Sequence, residues 1–419
     1  MSLRVRLLDL VACVALTLVA CGDEGPSAPA SGHTHDGSVA HCHDSACLDG
    51  GIVVVPSLEA STPPAPPVDA GFVWNLPKGF SVTPAVPADN PMTNEKVELG
   101  RHVFYDTRLS ANQTFSCASC HKQELAFTDG RAAGLGSTGQ SHTRGSMSLA
   151  NIGYSPTLTW ANPLMTTLER QAQVPIFGDQ PIELGMTSIA EVEARFRAIP
   201  RYQQLFAAAF PDEPQPITMT NVQRALASFQ RTLISGNSPF DRWQFHNQSY
   251  AVSDAAKRGF LLFSSEKLEC FHCHAGFNFS DHVSYAGQTF VTAPYHNTGL
   301  YDTDGLGGYP APNTGTHEVT MAERDMGMFK APTLRNVALT APYMHDGSIA
   351  TLSEVLDHYA KGGRARSFRT DPLLIGFTLS DQERADMIAF LESLTDTDFI
   401  TNPKTKDPWP AEPPPPEVP

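Results

Sequence analysis

Two five-residue motifs constrain this chain more than any other feature. Cys117-Ala118-Ser119-Cys120-His121 and Cys270-Phe271-His272-Cys273-His274 both read Cys-x-x-Cys-His. With eight cysteines and fifteen histidines in 419 residues, chance placement yields roughly 0.005 such pentads. Two thiols three positions apart can join both vinyl groups of a haem, and the imidazole that follows supplies an iron ligand. A dithiol redox pair or half a zinc site has a similar spacing. Two pentads, each ending in histidine, favour two covalent c-type haems, with His121 and His274 as the proximal ligands.

The N-terminus reads as an address. Arg4 and Arg6 precede an apolar run, Leu7 to Ala20, broken only by Asp9 and Thr17. That run is too short to span a membrane comfortably. It ends Leu18-Val19-Ala20-Cys21, which resembles a bacterial lipoprotein signal cleaved before Cys21, with lipid on that cysteine. A signal peptide cut elsewhere is the plainer alternative. Either way the chain is exported, and the lipoprotein reading places it in the periplasm, lipid-anchored to the outer membrane. Residues 21–74 form a Pro/Ser-rich tether carrying His33, His35, His41 and His43 and the pair Cys42/Cys47, suited to a disulfide or a weak soft-metal site. A net charge of −15 argues against a nucleic-acid partner.

The motifs sit inside a degenerate repeat. Leu99-Gly100-Arg101-His102-Val103-Phe104 precedes the first, and Arg258-Gly259-Phe260-Leu261-Leu262-Phe263 the second. Met147-Ser148-Leu149-Ala150-Asn151 and Pro332-Thr333-Leu334-Arg335-Asn336 follow, then Thr167-Leu168-Glu169 and Thr351-Leu352-Ser353-Glu354. Val222, Ala225, Leu226, Phe229 and Leu233 mark one helix face. Ser253 or Asp254 caps a second helix. A third, from Asp381 to Leu394, has Ala385, Ile388, Ala389 and Leu391 apolar. Clean strand alternation is scarce. The expected fold is mostly α: two tandem cytochrome c-like haem domains with long loops, at 75–250 and 251–400, then a Pro-rich tail, 401–419.

The repeat is asymmetric. Seven residues after Leu168 stands Pro175, whereas seven after Leu352 stands Tyr359. Proline offers no side-chain ligand and tyrosine offers a phenol oxygen, so the first haem keeps an open position while the second is closed. His358 is the nearest rival to Tyr359, with Met344 and Met326 behind it.

LGRHVFYDTRLS from Leu99, both pentads, the segment from Leu168 and FKAPTLRNVALTAPYMHDGS from Phe329 resemble the bacterial di-haem cytochrome c peroxidase/MauG superfamily over roughly residues 80–393. The stretch from His345 to Gly363 is most similar to MbnH-like enzymes, which oxidise a tryptophan of a partner protein in copper acquisition. The resemblance implies a peroxidase that activates hydrogen peroxide at the first haem. Gln171 and Pro175 match its distal glutamine and proline, Glu183 its distal acid, and Trp160 a tryptophan between the haems. Tyr359 falls where ordinary members have a methionine. A calcium ion between the haems is also implied, with Thr340 and Pro342 matching its backbone segment and Gly145 replacing its asparagine. His142 lies near a segment that supplies a distal histidine in some members, in poor register, and reads as structural. An ordinary cytochrome c peroxidase fed by a small cytochrome or cupredoxin, and a non-enzymatic di-haem carrier, are the alternatives.

The pyridine haemochrome spectrum of the exported protein should report two c-type haems per chain, and the double variant Cys117→Ala/Cys120→Ala should report one.

Overall fold

Each half of the repeat builds a helix pair that can touch only because one residue lacks a side chain. In the computed structural model, which describes residues 71–409, Asn94–Tyr105 packs against Met219–Arg231, and Asp254–Phe263 against Asp381–Glu392. A Cβ on Gly100 would lie 1.9 Å from the Ala225 carbonyl oxygen, and one on Gly259 2.0 Å from that of Asp386. Both positions therefore need glycine for backbone approach rather than for a turn.

The helix ends follow from local chemistry. Thr93, Thr218, Ser253 and Ser380 each accept an amide of the first turn, satisfying donors that a helix start leaves unpaired. Val222, Ala225, Leu226, Phe229 and Leu233 are all buried, as the periodicity requires. The Asp381–Glu392 face differs from expectation. Its buried residues are Asp386, Met387, Phe390 and Leu391, and Ala385 faces solvent. The rotation places Asp386 under a two-point ion pair from Arg258, at 2.7 Å for each bond.

Further matches confirm the repeat in three dimensions. Asn151 and Asn336 both take left-handed backbone (φ 59° and 62°) and each precedes a 3₁₀ turn, Ile152–Tyr154 and Val337–Leu339. Thr167 and Thr351 cap Leu168–Gln171 and Leu352–Ala360. Among the described residues there are isolated β-bridges but no sheet, so the fold is mostly α.

The described residues, 71–409, belong to one compact unit. A buried ion pair, Arg335 to Asp241 at 2.8 and 3.0 Å, lies within it. The segment read as a tail is partly built in: Tyr105 donates to the Thr405 carbonyl, and the Trp409 indole donates to that of His102. No helix among the described residues is long and apolar enough to cross a membrane. The signal, Cys13, Cys21, the Cys42/Cys47 pair and the histidine-bearing tether lie outside the described residues.

Gly259→Ala should lower the holoprotein's unfolding free energy by about 1–3 kcal/mol, the range for forcing a methyl into a packed contact. Denaturant titration followed by far-UV circular dichroism measures it.

Candidate functional site

The two pentads adopt the same local structure. Cys117–Cys120 and Cys270–Cys273 are single helical turns, which bring both thiols of each motif to one side. The following histidine leaves the helix, and its Nδ1 donates to a carbonyl a few residues on: His121 to Phe127 at 2.8 Å, His274 to Phe279 at 3.1 Å. Phe127 and Phe279 both sit at positive φ, 61° and 48°, which turns the chain back over the ring. With Nδ1 carrying the proton, Nε2 keeps its lone pair, the form needed to ligate a metal. Burial lowers the pKa of both imidazoles and so favours this neutral state.

Among the described residues none of the four cysteines pairs in a disulfide. Burial raises Cys117 to about 12, Cys120 to about 11 and Cys270 to about 12. A redox dithiol needs the opposite shift, toward thiolate. Reactive exchange is disfavoured, and covalent haem attachment fits.

An open cleft of about 1390 Å³ lies over the first motif. Cys117, Cys120 and His121 line it, together with Gln171, Pro175, Glu183 and Trp160. Residues more than sixty positions apart are thus gathered in one cleft. Gln171 closes the short helix Leu168–Gln171, Pro175 sits in the next, Gln173–Phe177, and the Pro175 carbonyl accepts the Leu184 amide. That bond sets Glu183 beside Pro175. Burial raises the Glu183 carboxyl to about 7.

His142 also lines this cleft, on a turn closed by the Leu135–Ser141 bridge. Its Nδ1 accepts the Arg144 amide at 3.3 Å, and its Nε2 lies 3.7 Å from Glu183 Oε1. Sequence reasoning left it structural. The 41-residue separation held no clue, and the turn alone creates the pairing.

A second cleft, about 920 Å³, runs between the two halves. Trp160 and Gly145 line both clefts, and the Trp160 indole donates to the Gly145 carbonyl at 2.9 Å. Thr340 and Pro342 line the second cleft, with Gly145 on the same wall. The three residues matched to calcium are therefore gathered there, offering oxygen donors of the kind a hard cation takes.

Tyr359 lies on Leu352–Ala360, and its buried phenol has Cys273, Cys270 and Tyr309 as neighbours. Burial raises its pKa well above the ordinary value. Its rival His358 is engaged elsewhere, with Nε2 donating to the Thr298 carbonyl at 2.9 Å. Met326 and Met344 pack against the Ala161–Phe329 cluster.

The sequence profile of the di-haem cytochrome c peroxidase family matches residues 94–249. The methylamine utilization protein MauG of Methylorubrum extorquens is 40% identical over 314 residues, covering 74% of this chain and 80% of that protein. This chain belongs to the MauG/di-haem cytochrome c peroxidase superfamily. It is a haem-dependent, peroxidase-like oxidoreductase, and its pentads are the c-type haem-binding motifs of that family. The crystal structure of a MauG-like protein associated with microbial copper homeostasis is 47% identical, with a TM-score of 0.78, covering 81% of this chain and all of that one. The di-haem peroxidase BthA from Burkholderia thailandensis shares the fold at 20% identity and a TM-score of 0.59, over 78% and 95% of the two chains.

The raised Glu183 pKa carries a sign. Its acid form is favoured in the folded state, so its contribution is fully present below the unfolded value near 4.5 and is lost as pH rises through about 7. Relative to Glu183→Gln, the wild type should therefore lose stability between pH 4.5 and 7. Parallel thermal melts across that range check it, and a constant difference would contradict it.

Proposed function

We propose that this chain is a MauG-type enzyme that reduces hydrogen peroxide with electrons drawn from a separate exported protein. In the finer reading, the oxidised group is a tryptophan of an MbnP-like copper-binding partner. The observation that carries this reading is the asymmetry between the halves. Pro175 stands in the cleft over the first motif, and the phenol of Tyr359 stands within electrostatic reach of the second motif's cysteines. Similarity to the MauG-like protein associated with copper homeostasis favours the finer reading.

Each half would hold one covalent c-type haem, through Cys117/Cys120 and Cys270/Cys273, with Nε2 of His121 and of His274 free to ligate the iron. When bound, haem supplies the redox-active iron at which peroxide reacts. Pro175 offers no side-chain ligand, so its side of the first haem would be left free for peroxide. Gln171 orients the peroxide through its amide. Glu183, titrating near neutrality, takes a proton from one peroxide oxygen and returns it to the other as the bond breaks. Forming two waters takes two electrons and two protons. Both electrons come from the partner, across the protein, and Trp160, which lines both clefts, relays them between the halves. Tyr359 would supply an oxygen ligand to the iron of the second haem. Bound as phenolate, that oxygen would favour higher oxidation states more than a thioether would.

Calcium belongs to the same reading, held in the cleft between the halves by carbonyls of Gly145, Thr340 and Pro342 with water. The lipid anchor on Cys21 and the periplasmic location complete it.

Glu183→Gln should slow the reaction with peroxide by about 10²–10⁴-fold while both haems stay attached, read by stopped-flow absorbance. The wild type, given peroxide and the copper-binding partner, should leave a modified tryptophan detectable by peptide mass spectrometry. An unslowed variant contradicts the role of Glu183, and an unmodified partner contradicts the substrate.

A further inference from the structure

Lys330 is a buried cation with no anion beside it. It is 5% exposed and lines the cleft between the halves. Its ammonium donates to the Ser155 hydroxyl and the Thr157 carbonyl, each at 3.2 Å, and among the described residues no carboxylate lies within ion-pair distance. The adjacent imidazole, His282, is neutral and committed: Nδ1 donates to the Pro294 carbonyl at 3.0 Å, and Nε2 pairs with the Thr157 hydroxyl at 2.8 Å. Asp281 is held by His296 at 2.7 Å. Burying an ammonium with only neutral oxygens for company is costly, and a site built this way calls for an anion to enter the cleft.

The repeat indicates which one. In the register that aligns Asn151 with Asn336, Lys330 matches Gly145, so one half has a cation where the other has none. Lys330 stands two residues before Pro332, whose carbonyl bears on the His274 ring. Its amide donates to the Trp160 carbonyl at 3.1 Å.

We propose that Lys330 binds a propionate carboxylate of the haem carried by the second motif, neutralising in one contact a buried cation and a buried anion beside Trp160. This rests on the reading that both pentads carry haem. Burial alone pulls the ammonium down to about 7. A carboxylate partner restores its charge. The pairing also protects electron relay, because a bare cation beside the Trp160 backbone would oppose loss of an electron from the indole.

The test uses the holoenzyme and three variants, Lys330→Met, Lys330→Gln and Lys330→Arg. Pyridine haemochrome spectra first establish two haems per chain. If the wild type lacks them, the underlying reading fails rather than this inference. With the pair present, Lys330→Met leaves a buried carboxylate unpaired. The second haem's midpoint potential should fall, its propionate modes in the resonance Raman spectrum should shift, and the melting temperature should drop. Lys330→Gln should move the same observables less, and serves if Lys330→Met does not accumulate. Lys330→Arg should stay near the wild type. If Lys330 is unpaired, removing its charge relieves an unfavourable burial. A raised melting temperature with unchanged potentials and propionate modes would overturn the proposal.

Discussion

One hydrogen bond, made twice, organises this molecule. Each motif histidine gives its Nδ1 proton to the carbonyl of a phenylalanine at positive φ, at 2.8 Å for His121 and 3.1 Å for His274. That bond fixes the ring's tautomer and orientation, and it aims a lone pair away from the backbone. The flanking helix pairs, closed tightly at Gly100 and Gly259, hold the single-turn motifs from behind. The two halves are alike in this supporting structure and diverge on the opposite side, where ligands and substrate would meet the iron.

That divergence gives the architecture its chemical interest. One half presents a proline, a glutamine and a carboxyl that titrates near neutrality, a surface suited to handling protons on a small oxidant. The other presents a buried phenol. Between them Trp160 lines both clefts and ties to each half, through its indole to Gly145 and through its carbonyl to the Lys330 amide. A charge moving between the halves meets a residue bonded to both, by its side chain to one and its backbone to the other.

Much of this was legible in the sequence because covalent haem chemistry dictates residue type and spacing. The pentads, the repeat and the Pro175/Tyr359 contrast follow from counting positions. Gln171, Pro175 and Glu183 do share one cleft with His121. The rest depends on contacts between distant segments. His142 reaches Glu183 only because a turn folds it inward. Lys330 carries no signal of its own in the sequence, and its burial depends on the distant segment at Ser155 and Thr157, which accepts from its ammonium. The Asp381–Glu392 helix was read by its apolar residues, yet it turns Asp386 inward because Arg258 from the partner helix pairs with it. Residues 401–409 look like a tail, and they are built in by carbonyls meeting Arg101, Tyr105 and Gln123.

The central claim is that the two halves hold their irons differently, one open and one closed by Tyr359. Electron paramagnetic resonance of the ferric protein, compared with Tyr359→Phe, tests this most directly. The account predicts one high-spin and one low-spin signal in the wild type, with only the low-spin signal altered in the variant. Two low-spin signals, both indifferent to the loss of the Tyr359 hydroxyl, would contradict it.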